Sequence, residues 1–177
     1  DAFEQVSARA GWVLFGNKLY WTKNEGAAWT DITPAASIQA VDFLDASRGW
    51  TVASVTNGYS LASTTDGGRA WQTRALRLPA LRNPAATIAK IFMNWRTESH
   101  GWLVFKFATG INFSRGMLFV TFDGGETWTE REIPLGEPVT FTDENNGWIS
   151  GGPTGAEFFV TRDGGRSWES DPESRGP

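Results

Sequence analysis

Apolar and polar residues alternate in short, imperfect stretches along this chain, and glycine-containing turns separate the stretches. The clearest example lies in the second quarter, where the alternation predicts strands at residues 38–44, 50–54, 59–64 and 70–75. Asn57-Gly58, between the second and third of these strands, is a typical hairpin turn. The last quarter repeats the same arrangement at shorter length. We therefore predict an all-β fold built from four-stranded antiparallel meanders.

Internal repeats account for this regularity. Four eight-residue segments, called boxes below, begin with Thr and end with Trp, at residues 22–29, 64–71, 121–128 and 161–168. The last three boxes have Asp-Gly-Gly at their third to fifth positions, whereas the first has Asn-Glu-Gly. A Gly-Trp pair precedes each box, at residues 11–12, 49–50, 101–102 and 147–148. The repeat predicts four equivalent units, approximately at residues 3–34, 38–76, 87–133 and 138–171.

The residue types of the box fit a self-contained turn. An Asp at the head of a tight turn accepts hydrogen bonds from backbone N–H groups that follow it, and glycines adopt positive φ at little steric cost. We expect the Trp of the last three boxes to be buried between neighbouring sheets. Asn24-Glu25 in the first box predicts a looser turn. The predicted structural residues are Asp66, Gly68, Trp71, Asp123, Gly125, Trp128, Asp163, Gly165, Trp168, Asn24 and Trp29.

Composition narrows the classes of function. The 177 residues carry a net charge of −4 and include ten Trp but no Cys, which excludes a disulfide framework and a cysteine-based zinc site. No apolar run approaches the roughly 18 residues of a membrane-spanning helix, so we expect no membrane span. We also predict no cofactor and no metal site. We expect an exported protein that is periplasmic, extracellular or membrane-anchored through sequence preceding Asp1.

The boxes resemble the bacterial neuraminidase (BNR, or Asp-box) repeat. A longer pattern runs Phe43-x-Asp45-x-x-x-Gly49-Trp50-x-Val52, followed by Thr64-x-Asp66-Gly67-Gly68-x-x-Trp71. This pattern resembles the propeller proteins related to the photosystem II stability and assembly factor. The resemblance implies one β-propeller domain over residues 1–177, with four-stranded antiparallel blades. Four repeats imply either a four-bladed ring or part of a larger propeller. Sialidases, xyloglucan hydrolases and sortilin-like receptors also contain the box, so it does not select an activity.

The sequence does not indicate a catalytic site. The sialidases among the Asp-box proteins use a tyrosine nucleophile and several arginines. The two tyrosines of this chain, Tyr20 and Tyr59, lie in predicted strands, where we expect them to pack within a blade. Other glycosidases need two facing carboxylates, and the unassigned acids include Asp31, Asp42, Glu98 and Glu157. The single histidine, His100, lies in the turn before a Gly-Trp pair, and the repeat predicts a turn residue there. We predict no catalytic residue and no enzyme activity.

Charge is distributed unevenly along the chain. Between residues 69 and 115 there are eight Lys and Arg residues but one acid, whereas between residues 123 and 173 there are twelve acids and three arginines. The basic stretch includes a Leu- and Pro-rich insertion at residues 74–86, and such insertions on regular scaffolds often carry binding function. We predict a binding patch that comprises Arg74, Arg77, Arg82 and Arg96.

The partner that suits an arginine patch is acidic, because the planar guanidinium pairs with carboxylates. We expect an acidic segment of another protein, or a second copy of this chain, and no nucleic acid, since the whole chain is acidic. The sequence therefore predicts a non-catalytic propeller scaffold for protein binding or assembly. The alternative is a carbohydrate-binding or glycoside-hydrolysing Asp-box propeller, which would need two carboxylates roughly 5–9.5 Å apart in a cleft.

Overall fold

A computed structural model of the chain describes residues 2–79, 87–108 and 114–170. These residues form sixteen strands, arranged in four four-stranded sheets. Each sheet is an antiparallel meander in which the strands neighbour one another in chain order. The prediction of an all-β fold of four-stranded antiparallel units is confirmed. Within the described ranges we find no helix of the length and apolarity that crossing a membrane requires.

The chain divides into two compact units, Asp1–Leu76 and Arg77–Pro177. The first unit holds two sheets. Its first sheet contains β1 (Ala2–Gln5), β2 (Gly11–Phe15), β3 (Lys18–Thr22) and β4 (Thr30–Asp31). Its second sheet contains β5 (Ile38–Phe43), β6 (Gly49–Val55), β7 (Gly58–Thr64) and β8 (Gln72–Ala75).

The second unit holds the third and fourth sheets. The third sheet contains β9 (Ile88–Trp95), β10 (Gly101–Phe107), β11 (Arg115–Thr121) and β12 (Thr129–Glu132). The fourth sheet contains β13 (Val139–Phe141), β14 (Gly147–Gly151), β15 (Glu157–Thr161) and β16 (Glu169–Ser170). In every sheet the box forms the turn between the third and fourth strands.

Strand register explains why each repeat has Gly before its Trp. This Gly pairs with the last residue of the first strand, as Gly49 does with Phe43 and Gly101 with Trp95. The aromatic ring lies across the glycine, and a Cβ atom at either glycine would overlap that ring. The pair therefore allows a large aromatic side chain to lie flat on the neighbouring strand.

Each unit has its own apolar core between its two sheets. In the first unit the core includes Trp12, Leu19, Trp21, Ile32, Ile38 and Phe43. In the second it includes Trp102, Val104, Leu118, Val120, Val139, Phe141 and Ile149. Alternate residues of each strand point to opposite faces, so every sheet presents two faces on which a neighbour can pack.

Hydrogen bonds from side chains to the backbone join the sheets within each unit. In the first unit, the indole N–H of Trp71 donates to the carbonyl oxygen of Ile32 at 2.8 Å. In the second unit, the indole N–H of Trp102 donates to the carbonyl oxygen of Val139, also at 2.8 Å. These bonds fix the position of one sheet against the next, because their direction is more restricted than that of apolar contact.

Candidate functional site

The last three boxes form the same hydrogen-bonded turn. In the third box the hydroxyl of Thr121 donates to Asp123 Oδ1 at 2.8 Å and accepts the N–H of Gly125 at 2.8 Å. The Asp123 carboxylate also accepts the backbone N–H and the hydroxyl of Thr127. The fourth box repeats this arrangement around Asp163, with Ser167 in place of Thr127. The second box repeats it around Asp66 without the second hydroxyl bond, because Ala70 stands at that position. The box is therefore a turn that satisfies its own polar groups.

These hydrogen bonds favour the ionised carboxylate. The hydroxyl and N–H of Thr127 hold the pKa of Asp123 at about 2, and Ser167 does the same for Asp163, at about 2. The pKa of Asp66 is also lowered, mainly by the backbone N–H of Ala70 and the hydroxyl of Thr64. The three carboxylates are charged at neutral pH, and they stabilise the turns by accepting these hydrogen bonds.

The first box keeps this pattern although its sequence differs. The side-chain oxygen of Asn24 accepts the hydroxyl of Thr22 at 3.0 Å and the N–H of Ala28 at 2.9 Å. Glu25 adopts a φ of 61°, where the second box has Gly67 at 72°. The prediction of a looser turn is wrong in its hydrogen bonding, because the amide oxygen accepts the same bonds as a carboxylate.

The four box tryptophans differ in burial. Trp128 is buried, Trp71 and Trp168 are half-buried, and Trp29 is 47% exposed. The expectation that all three Asp-box tryptophans are buried therefore holds fully for Trp128 alone. Trp128 also donates its indole N–H to the carbonyl oxygen of Gly125, within its own turn.

The arginines of the predicted binding patch lie in both units. Arg74 is half-buried on β8 of the first unit. Arg77 and Arg96 are exposed and belong to the second unit, where Arg96 Nε donates to the carbonyl oxygen of Thr142 at 2.8 Å. Arg82 lies outside the described residues. The patch itself stays a prediction.

One cation of the basic stretch has an acidic partner within the second unit. Lys106 Nζ lies 2.6 Å from Glu137 Oε1, and the hydroxyl of Ser114 donates to the same oxygen. The pKa of Glu137 is lowered; burial raises it, and the hydrogen bonds from Lys106 and Ser114 outweigh that effect. Lys106 therefore contributes to the folded structure rather than to the charge available for a partner.

Sequence reasoning missed two buried polar side chains, His100 and Arg131, that pack on the partly exposed ring of Phe122 at the box end of the third sheet. His100 is 2% exposed, and its ring stacks on Phe122 with centroids 4.6 Å apart. Arg131 is also buried; its guanidinium lies 5.8 Å from the Phe122 ring and donates to the carbonyl oxygen of Gly164. One signal was available, because Phe122 is a large aromatic at a box position that is polar in the other repeats.

Burial sets the charge state within this cluster. It lowers the pKa of His100, so the imidazole is neutral at pH 7, and nearby Glu144 opposes the shift only in part. It also lowers the pKa of Arg131, although guanidinium groups remain protonated. The cluster therefore places one buried positive charge, on Arg131, beside the backbone of the fourth box.

A groove of about 410 Å³ adjoins the cluster in the second unit. Its lining combines an aromatic ring with acidic and basic side chains: Phe122, Thr129, Glu130, Arg131, Glu132 and Arg166. Such a lining offers hydrogen-bond donors and acceptors to a polar peptide segment. The described residues hold no cluster of three or more His, Asp or Glu side chains that is suited to a metal ion.

The acids considered for glycoside hydrolysis belong to different sheets. Asp31 lies on β4, Asp42 on β5 and Glu157 on β15, while Glu98 follows β9, so the four belong to four different sheets. Asp31 accepts from Lys18 at 2.8 Å and from Thr33, and these hydrogen bonds lower its pKa strongly. The tyrosines Tyr20 and Tyr59 are half-buried strand residues.

Comparison with known proteins identifies relatives. The sequence model of a family described as Photosynthesis system II assembly factor YCF48 matches residues 82–172. The Photosystem II assembly lipoprotein Ycf48 of Synechococcus sp. (strain CC9902) is 28% identical over 144 residues, which is 79% of this chain and 38% of the relative. This chain thus spans well under half the length of that relative.

Solved structures show the fold. A structure of YCF48 bound to D1 peptide matches 95% of this chain and 52% of its own, at 17% identity with a TM-score of 0.56. YCF48 from Cyanidioschyzon merolae matches 95% of this chain and 54% of its own, at 16% identity with a TM-score of 0.58. The GH74 enzyme of Niastella koreensis matches 93% of this chain and 28% of its own, at 16% identity with a TM-score of 0.61.

At these identities the structural likeness establishes the β-propeller fold alone, and the four sheets are its blades. The family is established separately, because the sequence model matches just over half of the chain, from residue 82 in the Leu- and Pro-rich insertion to residue 172, just beyond the last box. The Asp-box turns and the Gly-Trp pairs of all four repeats agree with that match. The chain belongs to the Photosynthesis system II assembly factor YCF48 family of Asp-box β-propellers.

Proposed function

We propose that this chain is a non-catalytic scaffold that binds an acidic segment of another protein through arginines of its second unit. The observation that carries the proposal is the run of eight basic residues against one acid between residues 69 and 115. The residues proposed to bind are Arg77, Arg82 and Arg96. Arginine suits this task because its planar fork forms paired hydrogen bonds with carboxylates.

The orientation of Arg96 supports this assignment. Its Nε–H is donated to the carbonyl oxygen of Thr142, and this bond uses one of the five N–H donors of the guanidinium. The side chain is thereby held in one direction while it remains exposed. An arginine that is already oriented loses less conformational entropy when it binds a carboxylate.

Relatives support a protein partner. One family structure is described as YCF48 bound to D1 peptide, so a propeller of this family binds a peptide. The relative from Synechococcus is named an assembly lipoprotein, which supports an exported and lipid-anchored setting for this chain as well. The carbohydrate-acting alternative has weaker support, since the likeness to GH74 enzymes, at 16% identity, concerns the fold alone.

Charge reversal tests the proposal. We expect the double variant Arg77→Glu/Arg82→Glu to bind a fluorescent acidic peptide at least about tenfold more weakly than the parent, because each lost charge pair removes about 1 kcal/mol or more. Binding of the parent should also weaken as salt rises. Fluorescence anisotropy measures both effects, and circular dichroism checks the fold.

The matched control is Arg162→Glu. Arg162 is an exposed arginine that pairs with Glu169 in the fourth sheet, outside the basic stretch. This variant should bind the peptide like the parent. If the double variant and the control bind equally well, or if the parent does not bind acidic peptides at all, arginine-mediated binding is refuted.

A further inference from the structure

The groove beside Phe122 runs along the outer edge of the third sheet. Its lining includes four successive residues, Thr129–Glu132, which are the whole of β12. Successive residues of a strand point to opposite faces of the sheet, so a groove that all four line follows the edge of the strand rather than one face. Among the described strands β12 pairs only with β11. Its outer edge therefore offers backbone donors and acceptors to a further strand.

Arg131 brings a buried positive charge to this groove. The side chain is 7% exposed and contributes to the lining. One guanidinium N–H is donated to the carbonyl oxygen of Gly164, while the buried Nε has no hydrogen-bond partner among the described residues. None of the ion pairs in the described part of the chain includes Arg131. Because a buried charge without a counter-ion is costly, the position favours binding of an anion.

Packing between neighbouring sheets does not require a cation at this position. Arg131 lies three residues after its box Trp, and the equivalent residue of the first sheet is Ile32. Ile32 is also buried, and it packs on the box of the next sheet at Gly68. Arg131 packs in the same way on the box of the fourth sheet at Gly164. Since an apolar side chain fills this position in the first unit, the charge of Arg131 is available for binding.

A second cation and an aromatic ring lie on the same groove. Arg166 is exposed, and the ion pairs of the described residues do not include it. Its guanidinium donates to the carbonyl oxygen of Asp163, which orients the side chain. Burial and the nearby charge of Arg166 both lower the pKa of Arg131, so two like charges repel each other here. A carboxylate would relieve that repulsion, and its two oxygens accept hydrogen bonds from guanidinium groups.

The acids of β12 define the charge pattern that a partner strand needs. Glu130 and Glu132 flank Arg131 and belong to the opposite face of the strand. Residues directly opposite each other on paired strands share a face, where opposite charges are favourable and like charges are not. A strand beside β12 is therefore complementary if it has an acid opposite Arg131 and cations opposite the two glutamates.

We propose that an extended peptide segment of another protein pairs with β12 as a fifth strand of the third sheet, with one acidic side chain on Arg131 and Arg166 and a basic residue on either side of it. In this mode of recognition, main-chain hydrogen bonds provide affinity and alternate side chains provide specificity. The site is separate from the arginine patch of the basic stretch, and its ligand carries alternating charges, whereas the patch binds a uniformly acidic segment.

Fluorescence anisotropy with three labelled peptides tests the charge pattern. The first peptide has one Glu between two Lys in an otherwise uncharged, extended sequence, and it should bind. Replacing its Glu by Gln removes the charge pair, and exchanging the charges, to one Lys between two Glu, places like charges opposite each other. Each change should raise the dissociation constant at least about tenfold. Equal binding of the three peptides, or no binding of the first, would overturn the proposal.

Variants of the groove test the site. Arg131→Met and Arg166→Ala should each weaken binding of the first peptide at least about tenfold. Arg166 is exposed, so its variant should keep the fold, and Arg162→Ala is the matched control because Arg162 is exposed on the same sheet but does not line the groove. The Arg77→Glu/Arg82→Glu variant should bind this peptide like the parent, so this proposal and the proposed function can fail separately. Parent-like affinity in Arg166→Ala contradicts the site.

His100 reports on the groove directly, because it is the only histidine of the chain and stacks on Phe122. Burial lowers its pKa, and the charges of Arg96 and Arg131 lower it further. A carboxylate bound to Arg131 should therefore raise the pKa of His100 and shift its imidazole signals in NMR spectra. If saturating peptide leaves these signals unchanged, the peptide binds elsewhere and the proposal is refuted.

Discussion

Replacing Trp102 by Phe tests how much one directional bond contributes to the packing of neighbouring blades. Trp102 is 2% exposed and lies on β10 of the third sheet. Its indole N–H donates to the carbonyl oxygen of Val139 on the fourth sheet at 2.8 Å, and its ring meets Phe141 edge-on. Phe keeps an aromatic ring at the position but removes the donor and part of the ring surface.

Two terms add up to the expected loss of stability. A buried carbonyl that loses its donor destabilises the fold by about 1–3 kcal/mol. The smaller ring gives up apolar contact worth about 1–2 kcal/mol more. We therefore expect the free energy of unfolding to fall by about 2–4 kcal/mol. For a protein of this size, that corresponds to a decrease in Tm of roughly 5–15 °C.

Trp148→Phe is the matched control, because Trp148 occupies the same register position in the fourth sheet but is 37% exposed. It should destabilise the fold by less than about 1 kcal/mol. Urea and thermal unfolding followed by far-ultraviolet circular dichroism measure both variants. The reasoning is refuted if Trp102→Phe destabilises the chain no more than Trp148→Phe does.

The remaining predictions concern pH. Asp123 and Asp163 have folded pKa values of about 2, below the ordinary value of 3.8, so their contribution is complete above about pH 4 and is lost as the pH falls towards 2; NMR titration that gave both carboxylates ordinary pKa values would contradict this. Asn24 does not titrate, so the first box should be insensitive to acid. Burial lowers the pKa of His100 below its ordinary 6.5, so protonation favours the unfolded chain and stability should fall between about pH 7 and 5. In His100→Phe that fall should be smaller, as urea midpoints at the two pH values would show; equal falls in parent and variant would refute the role of His100.

The turns and the strand order could be predicted from the sequence because their chemistry is local. Thr64, Asp66 and Gly68 lie within five residues of one another and satisfy one another's hydrogen bonds. The Gly-Trp pair likewise acts between adjacent strands. Four copies of both motifs were sufficient to predict four antiparallel sheets, and no distant contact was needed for that inference.

Burial could not be predicted in the same way. Trp29 and Trp128 end the same motif, yet one is 47% exposed and the other is buried, because Trp128 packs against Trp95 of its own sheet, where the first sheet has Gln5. His100 was correctly placed in a turn, but its stacking on Phe122 arises only when the box folds back beside it. Arg131 gave no signal as a buried cation, since its partner is a backbone carbonyl of the next repeat.

The local sequence of this protein thus determined the strands and turns of each blade, and the tertiary structure decided which side chains of each blade are buried. Hydrogen bonds within a turn join residues a few positions apart, so the residues themselves specify them. Packing between blades joins residues some forty positions apart, as in the bond from Trp71 to Ile32. Whether such a contact forms depends on the presence of a neighbouring sheet, which the repeat motif does not encode.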